Sequence, residues 1–120
     1  MDVQRRSLAD EQRAIDAWAG EPGVGYWPVM ANLARLCEEV GELSRLLLIR
    51  EGIKSPVADL GARLNEETGD VLFTALLLCN QLGVDAGDAL AAALARARAR
   101  GASDPVQPAR PGEAPRSGSH

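Results

Sequence analysis

Leu33-Ala34-Arg35-Leu36-Cys37-Glu38-Glu39-Val40-Gly41-Glu42-Leu43-Ser44-Arg45-Leu46-Leu47 is the stretch that decides the fold of this chain. Leu33, Leu36, Val40, Leu43 and Leu47 recur at steps of three, four, three and four, the spacing of one face of an α-helix. Pro28 is suited to the first helical position, and the pattern predicts a helix from there to about Arg50. Five apolar residues on one stripe predict that this stripe faces the core. At about 100° per residue, with Leu33 at 0°, the stripe centres near about 320°. Glu39 then falls at about 240°, Glu42 at about 180° and Glu38 at about 140°. Glu39 is on the shoulder of the expected buried face, Glu42 just beyond it, and Glu38 points away.

The flanking sequence gives three more helices. Ser7 followed by Asp10 and Glu11 supplies an N-cap and an acidic first turn for a helix over 7–19, stopped by Gly20 and Pro22. Residues 51–58 break the pattern, and Asp59 is placed to cap a third helix running to Leu82, ended by Gly83. Its stretch from Val71 to Cys79 is apolar on every side, which predicts a central position or burial by a second chain. Asp85 caps a fourth helix that runs through an Ala-rich segment to about Arg100. Beyond Gly101, four of the chain's seven prolines predict a disordered tail over 101–120, closed by a Ser-Gly-Ser-His120 ending that resembles a tag remnant.

Composition agrees. The 120 residues include 20 Ala and 16 Leu against 8 Val, 3 Ile and 2 Thr, so helix formers dominate and strand formers are scarce. The expected fold is all-α: a small four-helix bundle in one domain, 1–100, oligomerising through its central apolar helix.

Several chemistries are excluded. The one histidine is His120, so no histidine triad, metal ligand or proton shuttle can be built in the folded region. Cys37 and Cys79 are far apart, sit in apolar runs and form no C-x-x-C, which predicts ordinary core thiols in a reducing compartment. No signal-peptide apolar stretch follows the N-terminus, and the longest near-apolar run is under half a membrane span, so the expected setting is cytoplasmic, with no membrane partner. A net charge of −4 argues against generic nucleic-acid binding.

That charge is concentrated in residues 38–70, which hold eight acids and four bases. Glu38-Glu39-x-x-Glu42 on the second helix is matched by Glu66-Glu67-x-x-Asp70 on the third. Each helix offers two carboxylates at i, i+3 beside the core. Four such groups converging between antiparallel helices cannot all stay ionised without a counter-charge, and a divalent cation supplies it. Oxygen-only ligation suits Mg²⁺ or Mn²⁺ rather than zinc. Gly41 and Gly69 lie inside the acidic motifs and each cost about 1 kcal/mol relative to Ala, which predicts a close helix approach there.

Trp18, Gly25-Tyr26-Trp27-Pro28, the Leu33–Leu43 stretch, Glu66-Glu67-Thr68-Gly69-Asp70-Val71-Leu72-Phe73 and Asn80-Gln81-Leu82-Gly83-Val84-Asp85 together resemble the MazG-like all-α nucleoside triphosphate pyrophosphohydrolases. The resemblance covers roughly residues 12–100. It implies cleavage of a nucleoside triphosphate between its α- and β-phosphates, with Glu39, Glu42, Glu67 and Asp70 as metal ligands. Glu38, which begins the motif, is implied as a holder of a second metal or a water, and Asn80 as a nucleotide contact; on chemical grounds Glu38 or Glu39 is the expected base toward that water. Trp27 is the aromatic best placed to meet a base. Lys54, Arg96 and Arg100 are candidate phosphate contacts, although Arg96 stands where relatives carry lysine and Gly101 where they carry aspartate.

The primary expectation is a Mg²⁺-dependent (d)NTP pyrophosphohydrolase cleaning the nucleotide pool, assembled as a homodimer or homotetramer. A related expectation is a phosphoribosyl-ATP pyrophosphohydrolase, with the same carboxylates. From a different class, the rival is a catalytically silent helical module that dimerises or binds a partner, its acids facing solvent.

Overall fold

The computed structural model describes residues 5–103. They form four helices and, among the described residues, no strand: α1 (Leu8–Ala19), α2 (Val29–Arg50), α3 (Leu60–Leu82) and α4 (Ala86–Ser103). The chain divides into two compact units at Gly87–Asp88, inside α4.

In the first unit, α1 starts as its sequence predicts. The Asp10 amide donates to Ser7 Oγ at 3.1 Å and the Ser7 amide donates to Asp10 Oδ2 at 2.9 Å, closing a capping box. Such a cap stabilises a helix by about 1 kcal/mol. It also holds Asp10's carboxyl below its ordinary range, chiefly through the Ser7 amide. Pro28 stands one residue earlier than expected, at the N-cap of α2.

Asp59 does occupy the N-cap of α3, but with φ 56° and ψ 39°, and its side chain accepts no capping bond. This left-handed conformation is not the extended one from which an N-cap side chain reaches the first amides. At the other end Gly83 takes φ 67°, and the Val84 amide donates to Cys79 O at 2.9 Å, a glycine-capped helix end.

α2 and α3 run antiparallel, since Asn32 meets Gln81 at one end and Glu39 meets Glu67 further along. α3 is the central element, packed against α2 and also against α1 through the edge-to-face Trp18–Phe73 pair. Within its apolar stretch Thr74, Leu77 and Leu78 are buried and Leu72 is exposed. Of the two expectations for this stretch, a central position or burial by a second chain, the first is met within the single chain.

The buried face of α2 differs from the predicted one. Leu33, Val40 and Leu47 are 43%, 50% and 38% exposed, whereas Asn32, Leu46 and Ile49 are buried. Leu36, Leu43 and Glu39 are half-buried. The apolar arc of α2 is wider than its contact with α3, and the contact centres near about 240°, on Glu39 rather than on the leucine stripe. Gly41 and Gly69 are not required by any close approach, because a Cβ at either would meet nothing within 4 Å.

α4 continues past the expected end at Arg100 to Ser103, with Asp88 in its first turn and Arg100 in its last. The tail expected to be disordered lies outside the described residues, apart from the helical 101–103.

Candidate active site

The rotation of α2 carries Glu39 into the seam between α2 and α3. There one carboxylate oxygen each from Glu39, Glu67 and Asp70 lies within 4.8 Å of the others, all three residues being half-buried. Glu67 Oε2 is buried and accepts no hydrogen bond. Its neighbour is the Glu39 carboxylate, another acceptor, so the pair is satisfied only by a shared proton or a cation. The Glu39 contact, then burial, then the charges of Glu39, Asp70 and Glu42 push the Glu67 carboxyl up from its ordinary 4.5 to about 7.

Glu42 is felt at Glu67 but remains half exposed and paired with Arg45 at 3.2 Å. Glu38 is exposed and stands outside the trio. Three carboxylates, one with an orphaned oxygen, form a donor set that fits a hard divalent cation.

Trp27 lies at the N-terminal end of α2, on the wall of a cavity of about 450 Å³ that Trp18, Asn32, Arg35, Phe73 and Leu77 also line. The cavity and the trio share both helices. Asn32 and Arg35 precede Glu39 on α2, while Phe73 and Leu77 follow Asp70 on α3. Asn32 is 2% exposed and anchors this end, its Nδ2 donating to Trp27 O at 3.1 Å and Gln81 Oε1 at 2.9 Å. The guanidinium of Arg35 lies 5.7 Å from the centre of the Trp27 ring, and its Nε is 4.0 Å from Glu39 Oε1.

Asn80 has a different setting. Its Nδ2 donates to Gln12 O at 2.9 Å and to Tyr26 Oη at 3.1 Å, and its Oδ1 accepts from Gln12 Nε2 at 3.1 Å. Gln12 also donates to Val84 O at 2.8 Å and accepts from the Ala86 amide at 2.9 Å, while Tyr26 donates to Asp16 at 2.8 Å. This network ties α1 to the end of α3. Burial is the main cause raising the Tyr26 hydroxyl above its ordinary value.

Lys54 is exposed beyond the end of α2, and the fold does not bring it to the trio. Glu39 is eleven residues before Arg50, about 16 Å along the axis. Arg96 and Arg100 are exposed on the part of α4 in the second unit.

Two site features escape sequence reasoning. Asn32 was hidden because a buried amide interrupts no apolar count. Arg35 had one available signal, its i, i+4 spacing to Glu39.

An all-helical hairpin that carries convergent carboxylates and an aromatic-lined cavity on the same two helices defines an all-α, carboxylate-bearing class of protein. The sequence signature of the MazG nucleotide pyrophosphohydrolase domain matches residues 29–102, and the chain belongs to that family. YpjD of Bacillus subtilis (strain 168) is 36% identical over 85 residues, spanning 70% of this chain and 77% of that protein. Among solved structures, the Bacillus-conserved MazG protein, a nucleotide pyrophosphohydrolase, is 31% identical with a TM-score of 0.67, covering 78% of this chain and 92% of that one. YPJD from Bacillus subtilis is 32% identical, also with a TM-score of 0.67, covering 78% and 97%.

Proposed function

We propose that this pyrophosphohydrolase cleaves nucleoside or deoxynucleoside triphosphates between the α- and β-phosphates, with Mg²⁺ and in a nucleotide-pool cleaning role in the cytoplasm. One observation carries the reading: three carboxylates from two helices converge around an orphaned Glu67 oxygen, beside a cavity walled by Trp27. Carboxylates alone repel a triphosphate, so this arrangement serves one only with a cation between them.

Glu39, Glu67 and Asp70 would hold the ion, with Glu42 adding charge from the rim. Bound there, Mg²⁺ supplies charge neutralisation at the phosphates and activation of the attacking water. Glu39 is the better candidate of the two expected bases, since Glu38 is turned to solvent. Trp27 offers the base a stacking face on the cavity wall. Asn80 acts by fixing the α1–α3 end, given that its amide is already bonded within the protein.

The line Leu33, Val40 and Leu47 repeats every seven residues on an exposed helix face, which supports packing against a second copy in a homodimer or homotetramer. The same line would serve the rival reading, a silent interaction module.

Incubating a panel of NTPs and dNTPs with Mg²⁺ and resolving the products by chromatography tests the proposal. The expected products are monophosphate and pyrophosphate, lost in Glu67→Ala. No turnover of any nucleotide, together with no Mg²⁺-induced rise in melting temperature, would leave the silent module as the surviving reading.

A further inference from the structure

Arg35 occupies the boundary between the cavity and the carboxylate trio. It lines the cavity, its guanidinium faces the Trp27 ring, and it precedes Glu39 by one helical turn, about 6 Å along the axis. Neither contact uses its hydrogen-bonding capacity. Its 4.0 Å approach to Glu39 is longer than a hydrogen bond, and among the described residues no acceptor is within bonding distance of its five N–H donors. The side chain is 36% exposed, so this cation is accessible.

A nucleotide with its base in the cavity and its phosphates toward Glu39, Glu67 and Asp70 must pass this guanidinium. One divalent ion leaves a triphosphate with net negative charge, and a planar fork of free donors matches phosphate oxygens in pairs. Trp27 supports the plane from behind by cation–π contact. We propose that Arg35 is a phosphate-binding residue of the site, resting on Trp27 and Glu39 until the nucleotide's phosphates take up its donors. The proposal rests on the nucleotide reading above.

The alternative role is electrostatic only, with Arg35 compensating and orienting Glu39. Calorimetry on the full chain separates the two, using an α,β-imido triphosphate analogue that resists cleavage, with Mg²⁺ saturating, and Mg²⁺ titrated alone. In Arg35→Gln the analogue should bind at least about tenfold more weakly, while the affinity for Mg²⁺ alone is unchanged or tighter. Arg35→Lys should recover only part of the loss, because it keeps the charge without the fork. An unaltered melting temperature checks that both variants fold. Equal analogue affinity in wild type and Arg35→Gln overturns the proposal. Equal fold losses for analogue and Mg²⁺ also overturn it, in favour of the Glu39-orienting role. Failure of the wild type to bind the analogue with Mg²⁺ present strikes the nucleotide reading itself, a result distinct from either.

Discussion

Two polar clusters sit between helices in this protein, and they are built on opposite principles. Around Gln12, Asn80, Tyr26 and Asp16, donors and acceptors alternate, and hydrogen bonds of 2.8–3.1 Å join α1 to Asn80 of α3, to Val84 and Ala86 just beyond it, and to Tyr26. Glu39, Glu67 and Asp70 themselves are acceptors only; Arg35 Nε stays 4.0 Å from Glu39 Oε1, and Glu67 Oε2 is buried and unbonded. A network satisfied internally gains from folding and has nothing left to offer a ligand. A cluster of like charges costs folding energy, and what it lacks is a cation. The difference separates a brace from a binding site more sharply than burial or polarity does, because both clusters have half-buried members.

The largest consequence concerns Glu67. Glu67→Gln should lower hydrolysis at least about a hundredfold and remove the Mg²⁺-induced gain in melting temperature. At pH 8, where Glu67 is ionised, the metal-free variant should nonetheless melt higher than wild type, because an amide can donate to Glu39 where a carboxylate cannot. A metal-free melting temperature that falls instead would put Glu67 among the braces.

Gln12→Ala should do the reverse. It leaves Asn80 Oδ1, Val84 O and the Ala86 amide without their partner, and should destabilise the fold by about 2–3 kcal/mol in urea titrations. Its affinity for Mg²⁺ should match wild type. A weakened affinity would erase the distinction between the clusters.

The smallest effect is on pH dependence. Glu67's carboxyl is raised in the folded state to about 7, so the folded chain holds this proton more tightly than the unfolded one. The stability it contributes is complete below about pH 4.5 and is lost as pH rises through about 7. Without metal, melting temperature relative to Glu67→Gln should therefore decline from pH 5 to 8; saturating Mg²⁺ should reverse the slope, since the ion displaces the proton. A flat difference in both series would show that the carboxylates are solvated independently.

Much of this was legible in the sequence because it depends on local chemistry. Ser7 with Asp10 forms the cap its spacing announces, and Gly83 ends α3 where a left-handed residue is needed. The i, i+3 spacing on two successive helices led to four converging carboxylates, of which Glu39, Glu67 and Asp70 come together while Glu42 stays half exposed beside Arg45. What escaped was rotation. Periodicity locates an apolar arc but not which part of it meets a neighbour, and α2 turns Glu39 and Asn32 inward while leaving Leu33, Val40 and Leu47 outside. Arg35 was missed for the same reason, since its importance comes from what α3 and the 23–27 turn place across from it. Asp59 illustrates the reverse limit, a residue of capping type whose backbone conformation denies it the role.

The connection from Glu51 to Asp59 is where this hairpin can be edited. Every carboxylate of the trio lies at least seven residues inside α2 or α3, about 10 Å or more from that turn. The turn itself is almost entirely exposed, and lengthening a surface loop adds only about 0.6 kcal/mol per doubling. A reporter domain or an affinity peptide can be spliced there with the chemistry left in place, which makes this bend the natural attachment point for a biosensor.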